Sequence, residues 1–182
     1  MHTKTHKDFA NKVYKNRVRG NLFIAATDGK RANFHFGCWS TQCSHEPPRM
    51  LTCFPKEIEG YELVKKGGTW TVSVVSENQV DLHDEFFFEG KQDIASLGED
   101  RFIYRETGCP ILKDAVGYFE CELVSLIDNG DFGIAIGDIV SADMLHADKK
   151  NLTVNALLER DPGFVEKKKE DIVMPFQGFD LK

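Results

Sequence analysis

The sequence predicts a mainly β protein, a small antiparallel barrel with short helices at its periphery. Apolar, β-prone runs outnumber segments with helical spacing. Turn signals such as Asp28-Gly29-Lys30 and Asp128-Asn129-Gly130-Asp131 separate neighbouring runs. Neither GxGxxG nor GxxxxGK[ST] occurs, so the common dinucleotide and nucleotide folds find no support.

Taken in order, Thr5–Arg17 suits a short helix, with Phe9 and Val13 on one face. "NLFIAAT" (Asn21–Thr27) is a strand, and a second extended run from Ala32 toward Trp39 makes a hairpin with its tip at Asp28–Gly29. Pro47–Pro48 excludes a helix and cannot lie inside a central strand. Strand character resumes over Arg49–Pro55. Lys56–Gly68 suits a short helix stopped by Gly67–Gly68, and Thr69–Ser76 alternates with many β-branched residues. "ENQVDLHDEFF" has helical character, Gly90–Gly108 reads as an irregular loop, and Pro110–Leu145 yields two or three strands about the 128–131 turn. This divides the chain into an N-terminal helical extension (1–20), a barrel domain (21–150) and a charged C-terminal extension (151–182).

A net charge of −6 over 182 residues supplies no clustered basic face with which to displace counterions from nucleic acid. The basic runs Lys12–Arg19 and Lys167–Lys169 read as solvated helix faces. No stretch approaches the ~20 apolar residues of a membrane span, and the N-terminal twenty residues lack the apolar core of a signal peptide. Five cysteines, an odd number, fit a reducing compartment. The expectation is a cytoplasmic protein with neither nucleic acid nor membrane as partner.

The segment "HFGCWSTQCSHEPP" (His35–Pro48) concentrates the chemistry. A metal site is disfavoured: Cys38 and Cys43 are too widely spaced for a zinc knuckle, no second close cysteine pair exists, and residues 35 and 38 of an extended chain point to opposite faces. Cys38 has no evident base beside it and reads as a small buried residue. A loop around a phosphorylated aromatic cofactor remains, with Ser40, Thr41 and Ser44 supplying hydroxyls and Gly37 allowing close backbone approach.

From Asn21 to Leu145 the chain resembles the flavin reductase-like, FMN-binding split-barrel family. Asn33, Trp39, Thr41, Gln42, Ser44, Pro47 and Pro48 match its N-x-M-T-A-S-W-x-T-Q-x-S-x-x-P-P segment. "YELVKKGGTWTVSVVSENQVDLHDEFF" is similar to its helix, long strand and E-x-Q helix. "GCPILKDAVGYFECELVSLIDNGDFGIAIGDIVSAD" resembles its G-x-P-x-L-x-x-A-x-x-x-x-E-C stretch and the hairpin after it. The chain departs from the pattern at His35–Cys38, at Gly60, and at Asp131-Phe132 in place of an Asp-His pair.

The resemblance implies a six-stranded Greek-key barrel, a homodimer with FMN near the subunit interface, and the C-terminal extension at that interface. It also implies hydride transfer from NADH or NADPH to flavin, in some members serving an electron-acceptor protein; other members carry electrons on flavin without using NAD(P)H. By this analogy Cys38, Trp39, Ser40 and Thr41 border the isoalloxazine, Ser44 lies toward the ribityl chain or phosphate, and Lys56 supplies charge there. Trp39 serves equally as core packing or as a flavin wall. Of Phe86, Phe87 and Phe88, one or two pack in the core or dimer contact, and Phe86 is the candidate to cover a flavin face. His83 and His146 read as exposed, and Asp131 as a turn residue.

Overall fold

The computed structural model describes residues 19–88 and 93–160; the expected helix at 5–17 and residues 161–182 lie outside them. Its main sheet contains strands β1 (Leu22–Thr27), β2 (Ala32–Gly37), β3 (Ser40–His45), β4 (Pro48–Pro55), β5 (Thr69–Val74), β8 (Gly117–Asn129) and β9 (Phe132–Met144). These run in the order β2-β1-β5-β8-β9-β4-β3, every pairing antiparallel. Two short strands, β6 (Phe102–Ile103) and β7 (Ile111–Leu112), pair separately. Among the described residues, four α-helices stand at the periphery: α1 (Glu59–Gly67), α2 (Val80–Phe88), α3 (Ile94–Leu97) and α4 (Val154–Arg160). No helix among the described residues is long and apolar enough to cross a membrane.

The seven strands exceed the six expected, and the difference lies at β3. Residues 40–45, read from sequence as a loop, pair with β4 and close the sheet as its edge strand. The prolines are compatible with this. Pro47 sits in the turn, after a cis Glu46–Pro47 bond, and Pro48 is the first residue of β4, where a missing N–H leaves no gap in a central ladder.

The sheet is rolled. β2 and β4 are five places apart in its order, about 24 Å if the sheet were flat, yet the His35 and Phe54 ring centroids are 5.5 Å apart. The Cys53 N–H also donates to Trp39 O at 2.9 Å. Rolling explains why β1 is apolar from Leu22 to Ala26: Ile24 and Ala26 enter one core cluster, Phe23 and Ala25 the other. The inner cluster also takes Met50, Phe54, Trp70, Val72, Cys121 and Ala135 from four further strands, with Leu63 and Val64 of α1. The outer cluster lies under α2, α3, β6 and β7 and includes Leu152 and Leu157. The first ten residues of the expected C-terminal extension therefore pack with the barrel. Within the expected loop, residues 94–97 form α3 and residues 102–103 form β6, and Leu97 and Phe102 are buried in that same cluster.

Local chemistry sets the ends of these elements. Asp28 Oδ1 accepts from the N–H groups of Lys30 and Arg31, and Gly29 takes a φ of 82° at the β1–β2 tip. Helix α1 carries Glu59 and Glu62 in its first turn and Lys65 and Lys66 in its last, which complements its dipole. It ends on Gly68, left-handed at φ 71°.

Trp70 occupies the middle of the barrel and is fully buried. A side chain at Gly137 would fall on its indole and lie 2.6 Å from Glu122 O. Gly137→Ala should therefore cost about 1–3 kcal/mol through overpacking, read as a lowered urea midpoint with an unchanged denaturant slope.

Candidate functional site

Strand β4 sets the two sides of the segment that the sequence singles out. Met50, Thr52 and Phe54 point inward and are buried, whereas Leu51 and Cys53 point outward and are half-buried. Residues paired directly across an antiparallel ladder share a face. Ser40, opposite Thr52, therefore faces the interior; Thr41, opposite Leu51, faces out, as does Trp39 beside Cys53.

The interior hydroxyls form an ordered chain. The Trp70 indole N–H donates to Thr52 Oγ1 at 3.1 Å, Thr52 and Ser40 hydroxyls lie 2.7 Å apart, and the Ser40 O–H donates to Leu51 O at 3.1 Å. Ser40 has one proton, which goes to Leu51 O, so the Thr52 O–H donates to Ser40. The Ser40 side chain is thus bound into the barrel, and its backbone is what it presents to the surface. Thr41 is exposed and Ser44 half-buried, both on the edge strand, while Gln42 Nε2 donates to Ser44 O at 3.1 Å.

Trp39 is half-buried, and its ring lies 4.8 Å from that of Phe132, tilted by 45°. Lys56 does not join the hydroxyls. Its ammonium pairs with Asp128 and donates to Gly130 O at 2.6 Å, and its backbone N–H donates to Asp131 O at 3.0 Å. Phe86 lies apart, on the other side of β2, with its ring 5.3 Å from both Phe34 and Phe36; the side chains of Phe87 and Phe88 lie outside the described residues. The structure thus brings together Cys38, Trp39, Ser40, Thr41 and Ser44 along β3 and the two-residue link before it. Lys56, one residue past β4, turns its ammonium onto the β8–β9 turn, and Phe86 lies apart.

The Cys53, Cys109 and Cys121 thiols have little nucleophilic character. Burial pushes the Cys109 thiol up, burial and nearby Cys38 raise that of Cys53, and burial raises Cys121 to about 12. Among the described residues, no three His, Cys, Asp or Glu side chains converge on a metal position. A polar cleft of about 230 Å³ lies away from this segment, at the start of α2, and contains Arg101, Lys149, Asp81 and Asp114. Its cations are paired, Arg101 with Glu85 at 3.0 Å and Lys149 with Asp114 at 3.5 Å.

The placement of three residues escapes sequence reasoning. Position 132 is legible as a departure from the family motif, but not that Phe132 backs Trp39 from a distant strand, through a register that no local pattern reveals. His35, flanked by Phe34 and Phe36, is buried in the barrel against Phe54, and its Nδ1 has no partner among the described residues. His83, expected at the surface, is buried on α2 against Phe36.

Comparison with known proteins extends this picture. Residues 16–160 match the family model described as the flavin reductase like domain. A probable flavin reductase of Rhizobium meliloti (strain 1021) is 33% identical over 129 residues, covering 67% of this chain and 39% of that protein. The FMN reductase (NADH) RutF of Agrobacterium fabrum is 28% identical over 168 residues, covering 85% of this chain and 90% of its own length. The chain spans well under half of the Rhizobium protein and 24% of a Nostoc diflavin flavoprotein that it also matches. Among solved structures, the Streptomyces globisporus NADH:FAD oxidoreductase SgcE6 superposes with a TM-score of 0.70 at 19% identity, covering 84% of this chain and 85% of that one. An FMN-binding protein from Thermus thermophilus gives 0.64 at 22% identity, covering 74% and 75%. At such identities these likenesses speak for the fold.

Burial lowers the His35 pKa from 6.5 to about 4. The unfolded chain therefore binds the proton more readily between these values. The contribution is complete above pH 6.5 and is lost as pH falls toward 4, by up to about 3 kcal/mol. His35→Leu should flatten that part of the stability profile, measured as urea midpoints from pH 7 to pH 4.

Proposed function

The chain belongs to the flavin reductase like family, and from that premise we propose that it binds FMN and transfers a hydride from NAD(P)H to flavin. The observation that carries the reading is the outward side of β3. There a half-buried Trp39 and the hydroxyls of Thr41 and Ser44 share one strip of surface. An aromatic wall followed by hydroxyl donors suits a flat ring with a polyol phosphate tether. FMN, when bound, supplies the acceptor for the hydride; the chain's part is to hold and orient it.

In this reading the Trp39 indole and the backbone of Cys38 and Ser40 border the ring, while Thr41 and Ser44 donate to tether or phosphate oxygens. Lys56, engaged with Asp128 and Gly130, holds the adjoining turn rather than a phosphate. Phe86 packs within the phenylalanine cluster, away from this strip. One observation favours a second reading, flavin binding without direct use of NAD(P)H: Phe132 makes the surroundings of Trp39 apolar and offers no proton or hydrogen bond there.

The same outward surface supports a homodimer. Ile127 is opposite Ile134, Ile134 opposite Cys53, and Ile136 opposite Leu51, so these side chains form one apolar band beside Thr41 and Trp39. Ile127 is 48% exposed, and Val124, on the same hairpin, 46%. A contiguous band of this kind is characteristic of an association surface. In this reading the flavin strip lies at the edge of the dimer contact. We further take the chain to work in the cytoplasm and to supply electrons to an acceptor protein.

Purified protein should take up added FMN, quenching flavin fluorescence, and should oxidise NADH or NADPH in the presence of free flavin. Failure to bind FMN defeats both readings, and binding without nicotinamide oxidation selects the second. Ile134→Lys should convert a dimer to a monomer in sedimentation analysis; a wild-type monomer removes the dimer proposal.

A further inference from the structure

We propose that Phe132 is a positioning residue for Trp39, and that Lys56 fixes Phe132 by clamping the β8–β9 turn. The proposal deepens the flavin reading, on which it rests for its functional consequence: the ring wall of the site is oriented from a hairpin remote in sequence.

The geometry builds this in three links. Lys56 follows the last residue of β4, and its backbone N–H donates to Asp131 O at 3.0 Å, extending the β4–β9 ladder by one bond past the Pro55–Phe132 pair. Its ammonium reaches over the turn to Asp128 and to Gly130 O, at 2.6 Å from the latter. Both sides of the turn are thereby held from one residue, although Asp128 itself is largely exposed. Phe132 is the first residue after the turn and is only 8% exposed. What covers it on the outer face includes the Trp39 ring, 4.8 Å away.

Trp39 has no strand of its own to stiffen it. It lies between β2 and β3, in the link Cys38–Trp39, with its carbonyl anchored to Cys53 N–H. An indole on so short a link keeps its orientation through side-chain contact, and Phe132 supplies an aromatic one. A rigid wall lowers the ordering cost of binding a flat ligand. Sequence comparison alone does not find this pair, because the two residues are joined only by the β4–β9 register.

The experiment uses the full chain and four variants: Phe132→Leu, Lys56→Met, Trp39→Phe and the Phe132→Leu/Trp39→Phe double variant. The chain has two tryptophans, so subtracting the Trp39→Phe spectrum leaves the emission of Trp39, with buried Trp70 as internal reference. Phe132→Leu should red-shift Trp39 emission and increase its quenching by acrylamide, and Lys56→Met should do so to a smaller degree. FMN affinity should fall by about tenfold in Phe132→Leu, the scale of one aromatic contact. In the Trp39→Phe background, Phe132→Leu should change that affinity little further.

Unchanged Trp39 quenching in Phe132→Leu overturns the proposal, as does an equal loss of FMN affinity with and without Trp39. If the wild type takes up no FMN, the flavin reading fails, and the quenching data still decide whether Phe132 positions Trp39. Should Phe132→Leu not fold, Lys56→Met carries the same decision, since it leaves both rings in place.

Discussion

Trp70 reaches from β5 across the barrel interior to Thr52 and Phe54 of β4, and it lies over the bare Cα of Gly137 in β9. In the sheet order β4 stands three places from β5, so this indole spans strands that a flat sheet would hold about 14 Å apart. It can do so only if the sheet rolls. Its polar N–H is met by Thr52, so the desolvation cost of a fully buried donor is offset inside the barrel. The absence of a side chain at Gly137 is the matching half of the same contact. Large and small residues on facing strands are thus complementary, as close packing requires.

The rolled sheet places the candidate site. β3 is an edge strand, and its outward residues look onto solvent while its inward residue, Ser40, extends the hydrogen-bonded chain that begins at Trp70. The core and the surface strip are therefore joined through two hydroxyl groups. Edge strands invite unwanted pairing with another chain. Here the edge is short, carries a bulge between Gln42 and Ser44, and ends at a proline turn.

Much of the fold was legible because local chemistry decided it. Alternation and β-branching marked β5, Asp28–Gly29 marked the first hairpin, and Gly67–Gly68 marked the end of α1. The edge strand was hidden by its composition: six mostly polar residues between a glycine and a double proline read as a loop, and only pairing with β4 makes them a strand. Lys56 was selected for its charge, but charge does not reveal that Asp128, seventy-two residues on, reaches it first. His35 shows the reverse error of scale. It was read only as part of a departure from the family motif, whereas strand alternation in "NFHFG" sets it opposite Phe34 and Phe36, toward the barrel interior. Phe86 followed the same logic, since helix α2 turns it onto Phe34 and Phe36.

The matched motif mixes two kinds of residue that the period of a β-strand separates. In Trp39-Ser40-Thr41, the middle residue belongs to the scaffold and its neighbours belong to the surface, because successive side chains of a strand point to opposite faces. A one-residue slip of β3 on β4 would exchange these roles at once, putting an indole against Thr52 and a serine on the outer band. The hydrogen bond from Cys53 N–H to Trp39 O and the Ser40–Thr52 contact oppose that slip from either side of the ladder. What the motif encodes is therefore a register as much as a set of ligands, and the surface chemistry of Trp39 and Thr41 follows from where Ser40 is held.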